Sequence, residues 1–176
     1  GVVASYAAFL APLAHVPARL HAIGNQSRHA AYGDPYTPMI VVCAHAGLTT
    51  GEDGPTHADP QALQLLQENF PRSTLVTLTP WEPRETWTLV AAALAQRPAV
   101  IAPFVTRPNE IVPDRAALGL APDIAAASGV YRLRAARGRG DGVVVLQESG
   151  VTLAFVRQAL PLLERAGIDL DVYYVA

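Results

Sequence analysis

Met39-Ile40-Val41-Val42-Cys43 is a short apolar run with no polar interruption, and three of its members are β-branched. Such a run suits a strand covered on both faces in a parallel sheet; a strand with one wet face would show a polar residue at every second position. Past the loop from Ala44 to Ala58, Asp59 is a good N-cap and Pro60 a good first helical residue, so a helix is expected through about Asn69. Ser73 to Leu78 then reads as strand, Pro83 opens a helix through about Gln96, and Ala99 to Phe104 reads as the next strand. Strand, helix, strand, helix, strand is the rhythm of a parallel α/β layer.

Upstream, Val2, Tyr6, Phe9, Leu10, Leu13, Val16, Leu20 and Ile23 recur at helical intervals, so residues 2–23 are expected to form a helix that Pro12 and Pro17 kink or divide. Residues 26–38 mix Gly, Asp, Pro, Tyr and Ser and read as loop. Downstream, residues 106–142 lose all periodicity, and Gly138-Arg139-Gly140-Asp141-Gly142 is a clear turn signal. Val143 to Leu146 (strand), Val151 to Ala166 (helix) and Leu170 to Val175 (strand) complete one βαβ unit. One crossover cannot cover both faces of its own sheet, so this second unit reads as incomplete.

Composition narrows the functional classes. A chain of 176 residues that is 51% hydrophobic and 16% charged can bury a sizeable core, which excludes disorder. A formal charge of -2 with no basic block leaves nothing to follow a phosphate backbone or an anionic lipid surface, so neither nucleic acid nor membrane is an expected partner. Residues 1–18 carry no Lys, Arg, Asp or Glu, but Pro12, His15 and Pro17 and the lack of a basic lead-in argue against a span or signal segment. Because Gly1 falls inside an apolar pattern, the gene product is expected to start upstream. The single cysteine, Cys43, fits a reducing cytoplasm and rules out an internal disulfide.

The chemistry concentrates in residues 43–57, Cys-Ala-His-Ala-Gly-Leu-Thr-Thr-Gly-Glu-Asp-Gly-Pro-Thr-His, just past the carboxyl end of the first expected strand. Open α/β sheets place their ligands there. Gly51, Gly54 and Pro55 permit a tight turn that gathers Glu52, Asp53 and His57. An ionised Asp accepts hydrogen bonds from sugar hydroxyls, and a His can move a proton to a substrate oxygen near neutral pH. The same residues also suit a solvated turn. A zinc site from His45, Asp53 and His57 lacks regular ligand spacing, and Cys43 reads either as a nucleophile beside His45 or as a buried, inert thiol. His15, His21 and His29 have no recognisable partners and read as structural.

Gly51-Glu52-Asp53-Gly54-Pro55-Thr56-His57 resembles the signature of the thiamine-diphosphate-dependent transketolases, in the pyrimidine-binding domain of that family. Leu78-Thr79-Pro80-Trp81-Glu82-Pro83-Arg84-Glu85-Thr86 resembles the family's strand-to-helix stretch with its acidic residue. Ala102-Pro103-Phe104-Val105-Thr106-Arg107 resembles its strand ending in Ser-Arg, and the βαβ from Gly142 resembles the opening of its C-terminal domain.

The resemblance implies a parallel-sheet α/β fold in three parts. Residues 1–107 would be a partial pyrimidine-binding domain, 108–142 a linker, and 143–176 the start of a transketolase C-terminal-like domain. It implies transfer of a two-carbon ketol unit from a ketose (phosphate) to an aldose (phosphate), with thiamine diphosphate and magnesium held mainly by regions outside this chain. By this resemblance His45 and Asp53 bind the substrate, His57 is catalytic at the reacting oxygen, Arg107 holds the sugar phosphate, and Tyr6 and Phe9 pack on the cofactor's aminopyrimidine. Two departures stand out: Ala46 follows His45 where the family has Asp, and Arg19 to Met39 is longer than in the family. The glutamate that activates the cofactor ring and the diphosphate-binding domain are not matched, which implies a complementary subunit or second protomer and no activity alone. A deoxyxylulose-phosphate synthase, a 2-oxo-acid dehydrogenase subunit and a non-catalytic assembly protein of the same fold are the alternatives.

Overall fold

The computed structural model describes residues 1–10, 14–44, 51–54, 57 and 62–176; for residues 17, 20–22 and 53 it describes the backbone only. The chain divides into two compact units, Gly1–Leu78 with Val90–Pro108, and Thr79–Leu89 with Asn109–Ala176.

In the first unit the described elements are β1 (Val2–Tyr6), α1 (Ala7–Leu10), α2 (His15–Pro17), α3 (Gly24–Tyr32), β2 (Met39–Ala44), α4 (Ala62–Asn69), β3 (Leu75–Leu78), the second half of α5 (Pro83–Gln96) and β4 (Val100–Pro103). The sheet runs β1-β2-β4-β3, and every neighbouring pair is parallel. Central β4 is buried along its whole length, as expected of a parallel strand with both faces covered. Val41 and Cys43 of β2 pack with Val100 and Ala102 of β4, Leu66 and Ala62 of α4, and Ala7 and Leu10 of α1 in one apolar cluster.

Two expectations fail here. Residues 2–6 are strand, paired in register from Val2 opposite Ile40 to Tyr6 opposite Ala44, not the start of a helix. Apolar spacing cannot separate the two when residues of both habits alternate. Parallel pairing satisfies the backbone groups of Val2 and Val3, whose branched side chains favour the pleated surface. Helix starts at Ala7, and a π-helical turn, Ala18–Ile23, leads from α2 into α3. Residues 26–32 are α3, not loop. That helix buries none of its residues and is held by local bonds. Asn25 bonds both backbone groups of Thr37, Arg28 pairs with Asp34 at 3.2 Å, and His29 donates from Nδ1 to the Asp34 carbonyl while stacking on Tyr36. Gly33, at φ 69°, closes it with a left-handed cap.

The second unit carries β5 (Val130–Arg134), β6 (Gly142–Leu146), α6 (Ser149–Ala154), α7 (Leu160–Arg165) and β7 (Leu170–Val175), with a π-helical turn, Phe155–Ala159, joining the two helices. The sheet order is β5-β7-β6; β6 and β7 are the expected parallel pair, and β5 lies antiparallel on the other side of β7. The segment read from sequence as a linker thus contains a strand, whose Tyr131 and Leu133 point into the core while Val130 and Arg132 face out. A bulge between Arg132 and Arg134 then turns Arg134 inward to Glu164 at 2.6 Å.

A buried polar cluster ties Thr79–Leu89 to this unit. Arg115, 4% exposed, donates to Glu82 at 2.9 Å, to Glu85 at 2.6 Å and to the Ala121 carbonyl at 2.9 Å. Its guanidinium lies 4.8 Å from the centre of the Trp81 ring. Glu85 is fully buried and also accepts from the Tyr131 hydroxyl and the Trp81 backbone N–H. The Trp81 indole N–H in turn donates to the Tyr131 oxygen at 3.0 Å.

Candidate functional site

Three adjacent parallel strands of the first unit end on the same side, and each delivers one part of the site. β1 ends at Tyr6 and turns directly into α1, which carries Phe9. β2 ends at Ala44, ahead of the segment that holds Gly51 to His57. β4 is prolonged by a bridge between Phe104 and Cys43 and by a bond from the Val105 N–H to the Cys43 carbonyl, so Arg107 and Pro108 follow at the same edge. Side chains at the carboxyl ends of neighbouring parallel strands converge on a common crevice.

The turn itself depends on its glycines. Gly51 (φ 67°) and Gly54 (φ 71°) both sit in the left-handed region, where a side chain is strained. Gly51 to Asp53 form one 3₁₀ turn, the Gly54 N–H bonds the Gly51 carbonyl at 3.4 Å, and the His57 N–H bonds the Gly54 carbonyl at 3.3 Å. These two bonds bring His57 back towards α1. Its imidazole meets Tyr6 and Phe9 edge-on, at 6.0 Å and 85° and at 6.2 Å and 78°, and the two aromatic rings lie 5.5 Å apart. Edge-to-face pairs of this kind are worth about 0.5–1.5 kcal/mol beyond area burial, so the cluster orients the imidazole. Phe9 remains 56% exposed.

The structure therefore brings together Tyr6, Phe9 and His57, three of the six residues singled out from sequence. Arg107 is exposed at the neighbouring strand end. His45 and the Asp53 side chain lie outside the described residues, as do the expected cap Asp59 and Pro60. Among the described residues no group of three His, Cys, Asp or Glu could hold a metal ion. Cys43 is wholly buried, its Sγ directed at the Val41 carbonyl, and burial pushes its thiol up to about 12. A thiol so placed stays protonated at neutral pH, so the inert reading holds and the nucleophile reading does not. Pro108 lies near the turn, since a Cβ added at Gly51 would be 3.8 Å from both its Cβ and its Cδ. No helix among the described residues is long and apolar enough to cross a membrane.

An all-parallel four-stranded sheet and a mixed three-stranded sheet, both joined by helices, define an α/β protein. The solved structures it resembles are transketolases. A substituted transketolase of Pichia stipitis in complex with fructose 6-phosphate superposes with a TM-score of 0.68 over 99% of this chain at 22% identity. Structures of Pichia stipitis transketolase with sedoheptulose 7-phosphate and with xylulose 5-phosphate match with the same TM-score and coverage at 21% identity. This chain spans 22% of the length of each, and so has the fold of a transketolase segment. No family model matches the sequence, and no curated protein matches it.

Proposed function

We propose that the chain is part, or one subunit, of a transketolase-like enzyme that moves a two-carbon ketol unit from a ketose (phosphate) to an aldose (phosphate), and that it is inactive alone. The observation that carries this reading is the convergence of His57 of the seven-residue signature with Tyr6 and Phe9 at the ends of β1 and β2. Tyr6 and Phe9 offer a face on which an aminopyrimidine stacks, and the exposure of Phe9 suits a group arriving from outside this chain. Thiamine diphosphate, when bound, supplies the carbanion chemistry of C–C cleavage; its diphosphate and magnesium are assigned to a complementary subunit or second protomer.

On this reading His57, steadied edge-on by the two rings, holds or delivers a proton at the reacting substrate oxygen. Asp53 and His45 bind the substrate, Asp53 through a hydroxyl beside the reacting carbon, and Arg107 grips the phosphate with its planar fork. Residues 1–107 belong to the pyrimidine-binding domain and 143–176 to the C-terminal domain of the larger assembly, in the cytoplasm. Thermal melting of the native assembly tests cofactor use. Thiamine diphosphate with magnesium at a hundred times its dissociation constant is expected to stabilise by about 2.7 kcal/mol. An unchanged melting curve favours an assembly protein that keeps the fold without the chemistry.

A further inference from the structure

We propose that the outer face of the second unit's sheet is the contact surface for a second copy of this chain, packed face to face about a two-fold axis that sets Arg132 of each copy against Asp171 of the other. The proposal does not depend on the ketol-transfer reading. Strand register gathers the face: Val143 lies opposite Asp171, Val145 and Arg132 flank Tyr173, and Val130 lies opposite Val175. Side chains directly opposite in a ladder share one face of the sheet. Val130, Val143 and Val145 are exposed there, whereas the other face, with Leu133, Val172 and Tyr174, is buried. A parallel pair such as β6 and β7 is normally covered on both sides, so this apolar patch is a surface that lacks its cover.

Two charges on the patch decide the occupant. Arg132 lies 3.7 Å from Asp171, too far for a hydrogen bond, and its guanidinium donates to no described residue. Asp171 accepts from the Ala136 N–H through Oδ1, while its Oδ2 accepts from no described residue. The apolar face thus carries an unused donor fork beside an unused acceptor. A patch of one sign calls for a partner of the other. A patch holding both signs side by side is complementary to its own rotated copy, which is what a two-fold contact requires. Rotation about an axis between Arg132 and Asp171 replaces one long pair within each chain by two pairs across the interface, and it brings the valines of the two sheets together as in a sandwich. The weakly hydrated guanidinium suits such a partly dry setting.

The test is analytical ultracentrifugation of the 176-residue chain. Wild type is expected to dimerise with a dissociation constant of roughly 10 µM or tighter. Arg132→Glu and Asp171→Arg each set like charges against one another across the axis, and each variant alone is expected to dimerise roughly a hundredfold more weakly. An equimolar mixture of the two is expected to regain the dimer, because every acid of one variant then meets an arginine of the other. The pair lies on an exposed face and contributes little to folding, so far-UV circular dichroism should match wild type. Should either variant fail to fold, Val145→Lys takes its place and is expected to dissociate the dimer. A wild type that stays monomeric at about 100 µM overturns the proposal. So does a folded variant that dimerises alone as tightly as wild type, or a mixture that remains monomeric.

Discussion

Replacing Arg115 by Met removes the cation bonded to two carboxylates that have no access to water. Glu82 is 2% exposed and Glu85 is 0% exposed, and Arg115 bonds them at 2.9 Å and 2.6 Å. Methionine fills most of the volume, so the effect is that of charge left uncompensated and not of a cavity. Breaking a buried pair from one side costs roughly 3–5 kcal/mol. With a urea dependence of about 2 kcal/mol per molar, the midpoint should fall by roughly 1.5–2.5 M. Trp81 reports the transition, because it is wholly buried beside Arg115, while Trp87, 77% exposed, changes little on unfolding.

The pH dependence has a definite sign. Burial pushes the Glu85 carboxyl above its ordinary value, against the hydrogen bonds of Tyr131 and Arg115 and the charge of Arg115. A group whose folded value is raised contributes stability that is complete below its unfolded value, about 4.3 for Glu, and loses it as pH rises through the folded value. The deficit of Arg115→Met should therefore be largest at neutral pH and shrink as pH approaches about 4. Exchanging Glu82 and Glu85 for Gln in the same variant should recover part of it, since whole-set removal costs less than removal of one partner. A midpoint within experimental error of wild type at neutral pH, or a deficit that grows on acidification, would refute the electrostatic account.

Other substitutions probe separate elements. Cys43 should resist a disulfide reagent at neutral pH and react in concentrated urea, since burial holds its thiol at about 12; rapid labelling of the folded chain would contradict its placement. Glu148 caps α6 by accepting from the Gly150 and Val151 N–H groups, each at 2.8 Å, and does so at φ 80°. Glu148→Ala should cost about 1 kcal/mol in chemical denaturation, and Glu148→Gly less, because glycine occupies that φ without strain; the reverse order would show that strain does not set the ranking. Leu66→Ala, at a position 2% exposed in the first unit's core, should cost about 2–5 kcal/mol, and a loss below about 1 would show that α4 is not docked as described.

The parallel layer was legible wherever one signal acted alone. Pro83 at the first turn and the apolar run at residues 99–104 mark α5 and β4, because a proline opening a periodic segment and a short unbroken apolar run each suit one kind of element. β1 was hidden because Val2, Tyr6 and Phe9 satisfy a helical spacing as well, and only the partner strand β2 decides between the two. α3 was hidden because it buries nothing and so has no apolar period; Gly33 was its one visible mark. β5 shows the alternation Tyr131, Arg132, Leu133, Arg134, but surrounding Gly and Arg masked it. At the site, the signature named His57, and the resemblance paired Tyr6 and Phe9 with the cofactor, yet their meeting with His57 depends on the turn bonds of Gly51 and Gly54.

The central claim, that this segment forms one wall of a ketol-transfer site, is tested most directly by its chemistry. Two-carbon transfer from fructose 6-phosphate to an aldose phosphate would be measured in the native assembly with thiamine diphosphate and magnesium, wild type against His57→Ala. Transfer by the wild-type assembly, none by the chain alone, and a loss of roughly a hundredfold or more in the variant are expected if His57 handles the proton. No transfer by the wild-type assembly, or equal rates for the two, would contradict it.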